Sequence, residues 1–118
     1  MKDITQFTLT DRAVEVAEKF VEDGWFKNNS EVGSFAAAYF IKHHFGEIDP
    51  STLSYASSSH NYNYNSFDPE GRWEDIIKNL YNTEVPHLFM KNIMTWGLEK
   101  MGSIIDEHNG MLQITDFV

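Results

Sequence analysis

Apolar and polar residues alternate at the front of this chain. In Ile4-Thr5-Gln6-Phe7-Thr8-Leu9-Thr10, Phe7 and Leu9 share one face while Gln6, Thr8 and Thr10 share the other. A period of two over this length predicts a half-buried strand. The period then lengthens to that of a helix. Asp11 is a candidate N-cap, and Ala13, Val14, Ala17, Phe20 and Val21 recur on one side with acids opposite. Gly24 is placed to end this helix in the left-handed conformation. A second helix is predicted from a cap at Asn29 or Ser30, beginning with Glu31. It runs through Val32, Phe35, Ala36, Tyr39 and Phe40 to His44, with Gly46 as its stop. Gly33 and Ala37, one turn apart, leave a low surface that another helix can approach. Glycine inside a helix costs roughly 0.5–1 kcal/mol against alanine, so close packing is the economical reason for it.

Residues 54–67 break both periods. They are rich in Asn and Ser, carry Tyr55, Tyr62, Tyr64 and Phe67 at intervals, and predict a long polar aromatic loop. Asp68-Pro69 then reads as an N-cap followed by proline at the first helical position. Trp73, Ile76, Ile77 and Leu80 form the expected inner face of that helix. Thr83 caps a longer helix with Pro86 in its first turn, carrying Leu88, Phe89, Ile93, Trp96, Met101, Ile104 and Ile105 and closed by Asn109-Gly110. The tail from Met111 to Val118 is short enough to be extended or disordered. The expected fold is mainly α in one domain: a strand with two helices over 1–46, the loop, and a C-terminal helical pair over 68–118. A strand with no second strand in its own chain leaves backbone groups unpaired. The pattern therefore predicts association through residues 4–10 into a homodimer or higher oligomer.

Strand, helix, turn and helix over residues 4–46 resemble the ribbon–helix–helix family of Arc-type repressors. Gln6-Phe7-Thr8-Leu9 looks like the family's ribbon, and Asn29-Ser30-Glu31 looks like the start of its second helix. The resemblance implies that two chains pair their strands. It makes Gln6, Thr8 and Thr10 candidates to read bases and Ser30, with the amides around it, the candidate phosphate anchor. A second resemblance covers the whole length. It rests on the opening strand, on Trp25-Phe26-Lys27-Asn28-Asn29-Ser30-Glu31 with Phe35-Ala36-Ala37-Ala38, and on Ile104-Ile105-Asp106-Glu107-His108-Asn109-Gly110-Met111-Leu112. These phrases look like small proteins that accompany bacterial DNA-modification and phage-defence systems, such as the phosphorothioation systems. That resemblance implies an accessory subunit rather than a catalyst.

Charge decides between the two. The chain of 118 residues has a net charge of −9, spread over both halves. Phosphate neutralisation supplies most of a DNA binder's affinity, so an acidic chain with no basic module favours a protein partner over duplex DNA. The chain contains no cysteine, which removes thiol chemistry and thiolate metal sites. No apolar leader and no run of ~18 apolar residues is present, so a cytoplasmic protein without membrane contact is expected.

Nothing in the motifs invites catalysis. Glu22-Asp23, Glu74-Asp75 and Asp106-Glu107 are adjacent pairs that diverge on a helix, so they make poor acid–base dyads. His43 and His44 diverge in the same way, and His60, His87 and His108 lack ligand spacing. No metal or cofactor is expected. His108 fits a helix C-terminus, and Trp25, Trp73 and Trp96 read as core or interface residues. The aromatic loop has two readings: a recognition loop, since tyrosine offers contact area at low entropic cost, or tyrosines packed on the chain's own helices. The expectation is a non-enzymatic, oligomeric accessory subunit, with a ribbon–helix–helix repressor as the alternative.

Overall fold

The computed structural model describes residues 3–53 and 61–118, and the fold is mainly helical. The opening alternation forms a short strand, β1 (Gln6–Thr8), which is paired within the same chain. Its partner is β2 (Asn61–Asn63), antiparallel, with Gln6 opposite Asn63, Phe7 opposite Tyr62 and Thr8 opposite Asn61. The expectation of an unpaired strand is therefore corrected, and with it the reason for obligate association through residues 4–10. The expected loop is corrected over 61–67 as well. Asn-Tyr-Asn forms the second strand, and Asn63 then caps a single helical turn, α3 (Tyr64–Phe67), by accepting the Asn65 N–H at 2.9 Å. Phe7 stacks on Tyr62 and meets Tyr64 and Phe67 edge-on, which gives these two tyrosines the second of the expected roles, packing within the chain's own fold. Tyr55 lies outside the described residues.

Helix α1 (Asp11–Glu22) is capped by Thr10 rather than Asp11. It ends as expected, with Gly24 at φ +84° and the N–H groups of Gly24 and Trp25 returning to the carbonyls of Val21 and Phe20. Helix α2 (Asn29–His44) starts one or two residues earlier than predicted, because Asn28 accepts the Glu31 N–H at 3.0 Å. A 3-10 turn, Phe45–Glu47, follows it, and a second, Pro50–Thr52, is capped by Asp49.

Helix α4 (Arg72–Tyr81) begins later than the Asp68-Pro69 signal predicts. Asp68 still caps it, but through an intervening turn, with its carboxylate accepting the N–H groups of Trp73 and Glu74 at 3.2 and 3.0 Å. Its inner face is also corrected: Ile77 is fully buried, whereas Ile76 and Leu80 are exposed. Helix α5 (Pro86–Glu107) is capped from the other end of the chain. Asp3 accepts the N–H groups of His87 and Leu88 at 2.9 and 3.0 Å, while Thr83 holds only the approach to the helix through the Val85 N–H. Asn109 and Gly110 close it at positive φ, as expected. The tail is ordered into a 3-10 turn, Ile114–Phe117, because Phe117 is buried against Phe20 and Tyr39.

Helix α5 is the axis of the fold and touches α1, α2, α4 and β1. A helix apolar around most of its circumference must be enclosed, and Leu88, Met90, Ile93, Met94, Leu98 and Met101 are all buried. Residues from the N-terminal 46 and from 68–118 belong to the same hydrophobic cluster. The low surface on α2 is used as its composition implied, since Gly33, Ala36 and Ala37 are buried and α5 lies against them. Among the described residues no helix is long and apolar enough to cross a membrane.

Candidate interaction surface

The residues expected to read DNA do not form one exposed face. Gln6 is exposed, but Thr8 is buried under the β1–β2 pairing. The Thr10 hydroxyl is committed to local structure: it accepts the Ala13 N–H and donates to Glu99 at 2.7 Å. The alternation fails at Thr8, since Phe7, Thr8 and Leu9 are all buried where the chain leaves β1 for α1. Ser30 lies half-buried in the first turn of α2, where side chains of this chain already serve one leading amide and one just before the helix. Asn28 takes the Glu31 N–H, and the Glu31 carboxylate takes the Lys27 N–H at 2.8 Å. A carboxylate therefore stands where an anchored phosphate would approach.

Tyr62, Tyr64 and Phe67 are drawn inward with Phe7, and Tyr64 also stacks on His87 with ring centroids 3.6 Å apart. His87 donates from Nδ1 to the Ile4 carbonyl at 2.7 Å, which ties the chain's start to α5. The Tyr64 hydroxyl is buried and makes no hydrogen bond of normal geometry among the described residues. Burial first, and then the charges of Asp68, Glu74 and Asp3, hold its pKa far above the usual phenol value. Burial alone pushes Tyr81 up to about 12. Both phenols lose their protons at lower pH when unfolded, at ~10. The native state therefore holds more protons above that pH, and stability falls as pH rises from 10 towards 12 while staying unaffected by these groups below 10. Urea midpoints at pH 7, 8.5 and 11 are expected to be level between the first two and lower at the third. Equal midpoints at all three would contradict this assignment.

The outward surface is built elsewhere. Ile76 and Leu80 are 43% and 46% exposed, one turn apart on α4, beside the buried Ile77. Beside them Tyr81 stacks on Phe45, centroids 4.6 Å apart, and Phe45 is itself 41% exposed. The Phe45–Glu47 turn connects this apolar strip to an open groove of about 410 Å³ between the end of α2 and α5. Phe40 and Trp96, with ring centroids 5.9 Å apart, line its apolar part. Glu47, Asp49, Glu99, Lys100, Thr52 and Ser103 supply the polar lining. His44 donates to Glu47, and Lys100 lies 3.5 Å from the same carboxylate. The hydrogen bond from His44, reinforced by the charges of His44 and Lys100, holds Glu47 below the usual carboxylate range. The Ser51 N–H does the same for Asp49.

Sequence reasoning missed this groove because its acids come from positions 47, 49 and 99 with no shared spacing. Trp96 was the one available signal, a tryptophan on a helix whose other apolar residues suffice for the core. Trp73, by contrast, is anchored inward by donation from Nε1 to the Ser34 hydroxyl at 3.3 Å, and Trp25 stands half-exposed after α1. His108 Nδ1 lies 3.1 Å from Asp116 at the end of α5, and His60 lies outside the described residues. Among the described residues no group of three His, Asp or Glu is placed to hold a metal ion. Comparison with family models, characterised proteins and solved structures finds no match, and the reading of function rests on this chain's own residues.

Proposed function

We propose that this chain is a non-enzymatic interaction subunit of a larger complex. It seats a protein partner on the face that runs from Ile76 and Leu80, across Phe45 and Tyr81, to the acidic groove. The exposed pair Ile76 and Leu80 carries this reading: two large aliphatic side chains stand one turn apart in solvent on a helix whose buried residue is Ile77. Apolar side chains clustered on a polar surface mark contact sites more often than isolated ones do. A net charge of −9 favours a partner of opposite charge over a second copy on this face. Service within a bacterial DNA-modification or phage-defence complex is the setting that the resemblance of the whole chain implies.

Duplex DNA ranks second as a partner. Acidic charge, the burial of Thr8, the capping role of Thr10 and the carboxylate of Glu31 all weigh against it. The proposal is tested by co-expressing the tagged chain with the proteins encoded beside its gene. The double substitution Ile76→Ser/Leu80→Ser is expected to leave the melting temperature within a few degrees, because both side chains are already exposed. It is also expected to abolish co-purification of the partner. Co-purification that survives the double substitution would remove this face from the proposal.

A further inference from the structure

We infer that the groove beneath Trp96 is a socket for a basic side chain, arginine or lysine, presented by the protein partner. The inference rests on the interaction reading and specifies what that partner must carry. The lining joins two chemistries that suit one kind of occupant. Trp96, backed by the buried Phe40, offers aromatic surface, while the carboxylates of Glu47, Asp49 and Glu99 outnumber the ammonium of Lys100 in the lining.

Each carboxylate is held in place by its own chain. Glu99 accepts from Thr10 at 2.7 Å, Asp49 accepts from the Ser51 N–H and hydroxyl at 2.9 and 2.8 Å, and Glu47 accepts from His44. These bonds leave acceptor capacity on the carboxylates, since an ionised carboxyl has about four lone-pair sites. The hydrogen bonds to Glu47 and Asp49 also favour their charged forms. The groove thus carries fixed negative charge beside an aromatic wall.

An anion is repelled from such a site, and a neutral apolar group would desolvate the acids without pairing them. Arginine and lysine match both halves, with an aliphatic stem to lie along the rings and a cationic head to reach the carboxylates. Attraction between the cation and the indole face adds to this. The source is a protein segment rather than a free amine. The groove is open to the surface, and Phe45, which stacks on Tyr81 of α4, stands two residues before its Glu47, so the occupant is a side chain presented by a partner seated on the α4 strip.

The test uses the full chain labelled with nitrogen-15, with the Trp96 indole N–H assigned by its loss in Trp96→Phe. The probe is the capped peptide Gly-Arg-Arg-Gly, compared with the same peptide carrying citrulline, the neutral isostere of arginine. The arginine peptide is expected to shift the Trp96 signal saturably, and the citrulline peptide to bind about tenfold more weakly or not at all. Glu47→Gln/Asp49→Asn, which alters two exposed side chains, is expected to weaken arginine binding about tenfold. The charge-matched change Glu18→Gln/Glu22→Gln on α1 is expected to leave it within about twofold, which separates a local site from the general field of an acidic chain.

Absence of a saturable shift, equal binding of both peptides, or equal loss from the two double substitutions would each overturn the socket. Ile76→Ser/Leu80→Ser does not touch the groove lining, so failure here with partner capture intact removes the socket alone and leaves the interaction reading standing.

Discussion

Substitution of Tyr64 by alanine is expected to cost about 3–5 kcal/mol, the usual penalty for emptying a buried aromatic site. Tyr64 is 2% exposed and lies where three parts of the chain meet: Phe7 from β1, Phe67 from its own helical turn, and His87 from α5. Its removal would leave a cavity beneath β1 and loosen the contact that holds the chain's start against α5. Tyr64→Phe is the informative companion. It keeps the ring and deletes a buried hydroxyl that makes no hydrogen bond of normal geometry among the described residues, so stability is expected to stay within about 1 kcal/mol of the original. Urea unfolding of both variants checks the pair. An alanine variant as stable as the original would return the 61–67 segment to the status of a dispensable loop.

The second large effect is expected at Gly97, where α2 and α5 come closest. A Cβ at this position would collide with the backbone carbonyl of Ala36. A backbone carbonyl cannot swing aside as a side chain does, so the helices must separate along much of their shared surface. Gly97→Ala is expected to destabilise by about 1–3 kcal/mol, and Gly97→Val by more. The sign is diagnostic, because glycine to alanine within an unobstructed helix stabilises by roughly 0.5–1 kcal/mol. Gly33→Ala is expected to cost less: the obstructing atom there is the tip of the flexible Met94 side chain. Gly46 has nothing within 4 Å of an added Cβ and serves as the control, expected to show no loss. A stabilised Gly97→Ala variant would mean that α2 and α5 do not approach as described.

Much of the fold was written in periodicity and punctuation. The apolar recurrences at 13–21, 32–40 and 88–105 lie on helices because each brings several core residues to one side at the helical period. Gly24 and Asn109-Gly110 end their helices because a left-handed residue frees the chain to turn. Gly33 signalled close packing on α2, although the partner helix was not legible from it. These features depend on residues a few positions apart, and local steric and hydrogen-bonding rules act at that range.

What the sequence by itself determined was the mainly helical class, the positions of the long helices, their stops, the acidic character of the surface and the small-residue seam on α2. Only the tertiary structure decided the rest, because each remaining feature joins residues distant in sequence. The pairing of β1 with β2 links positions 6–8 to 61–63, and the cap of α5 comes from Asp3, 84 residues before His87. On α4, Trp73, Ile76, Ile77 and Leu80 fall within one arc of about 100°, a single inner face by period. Packing against α5 chose Ile77 and turned Ile76 and Leu80 outward. The groove combines residues from positions 40 to 52 with residues from 96 to 103. Charge and period along a chain set what each segment can bury or expose, but which far segments meet depends on how the buried faces share one core.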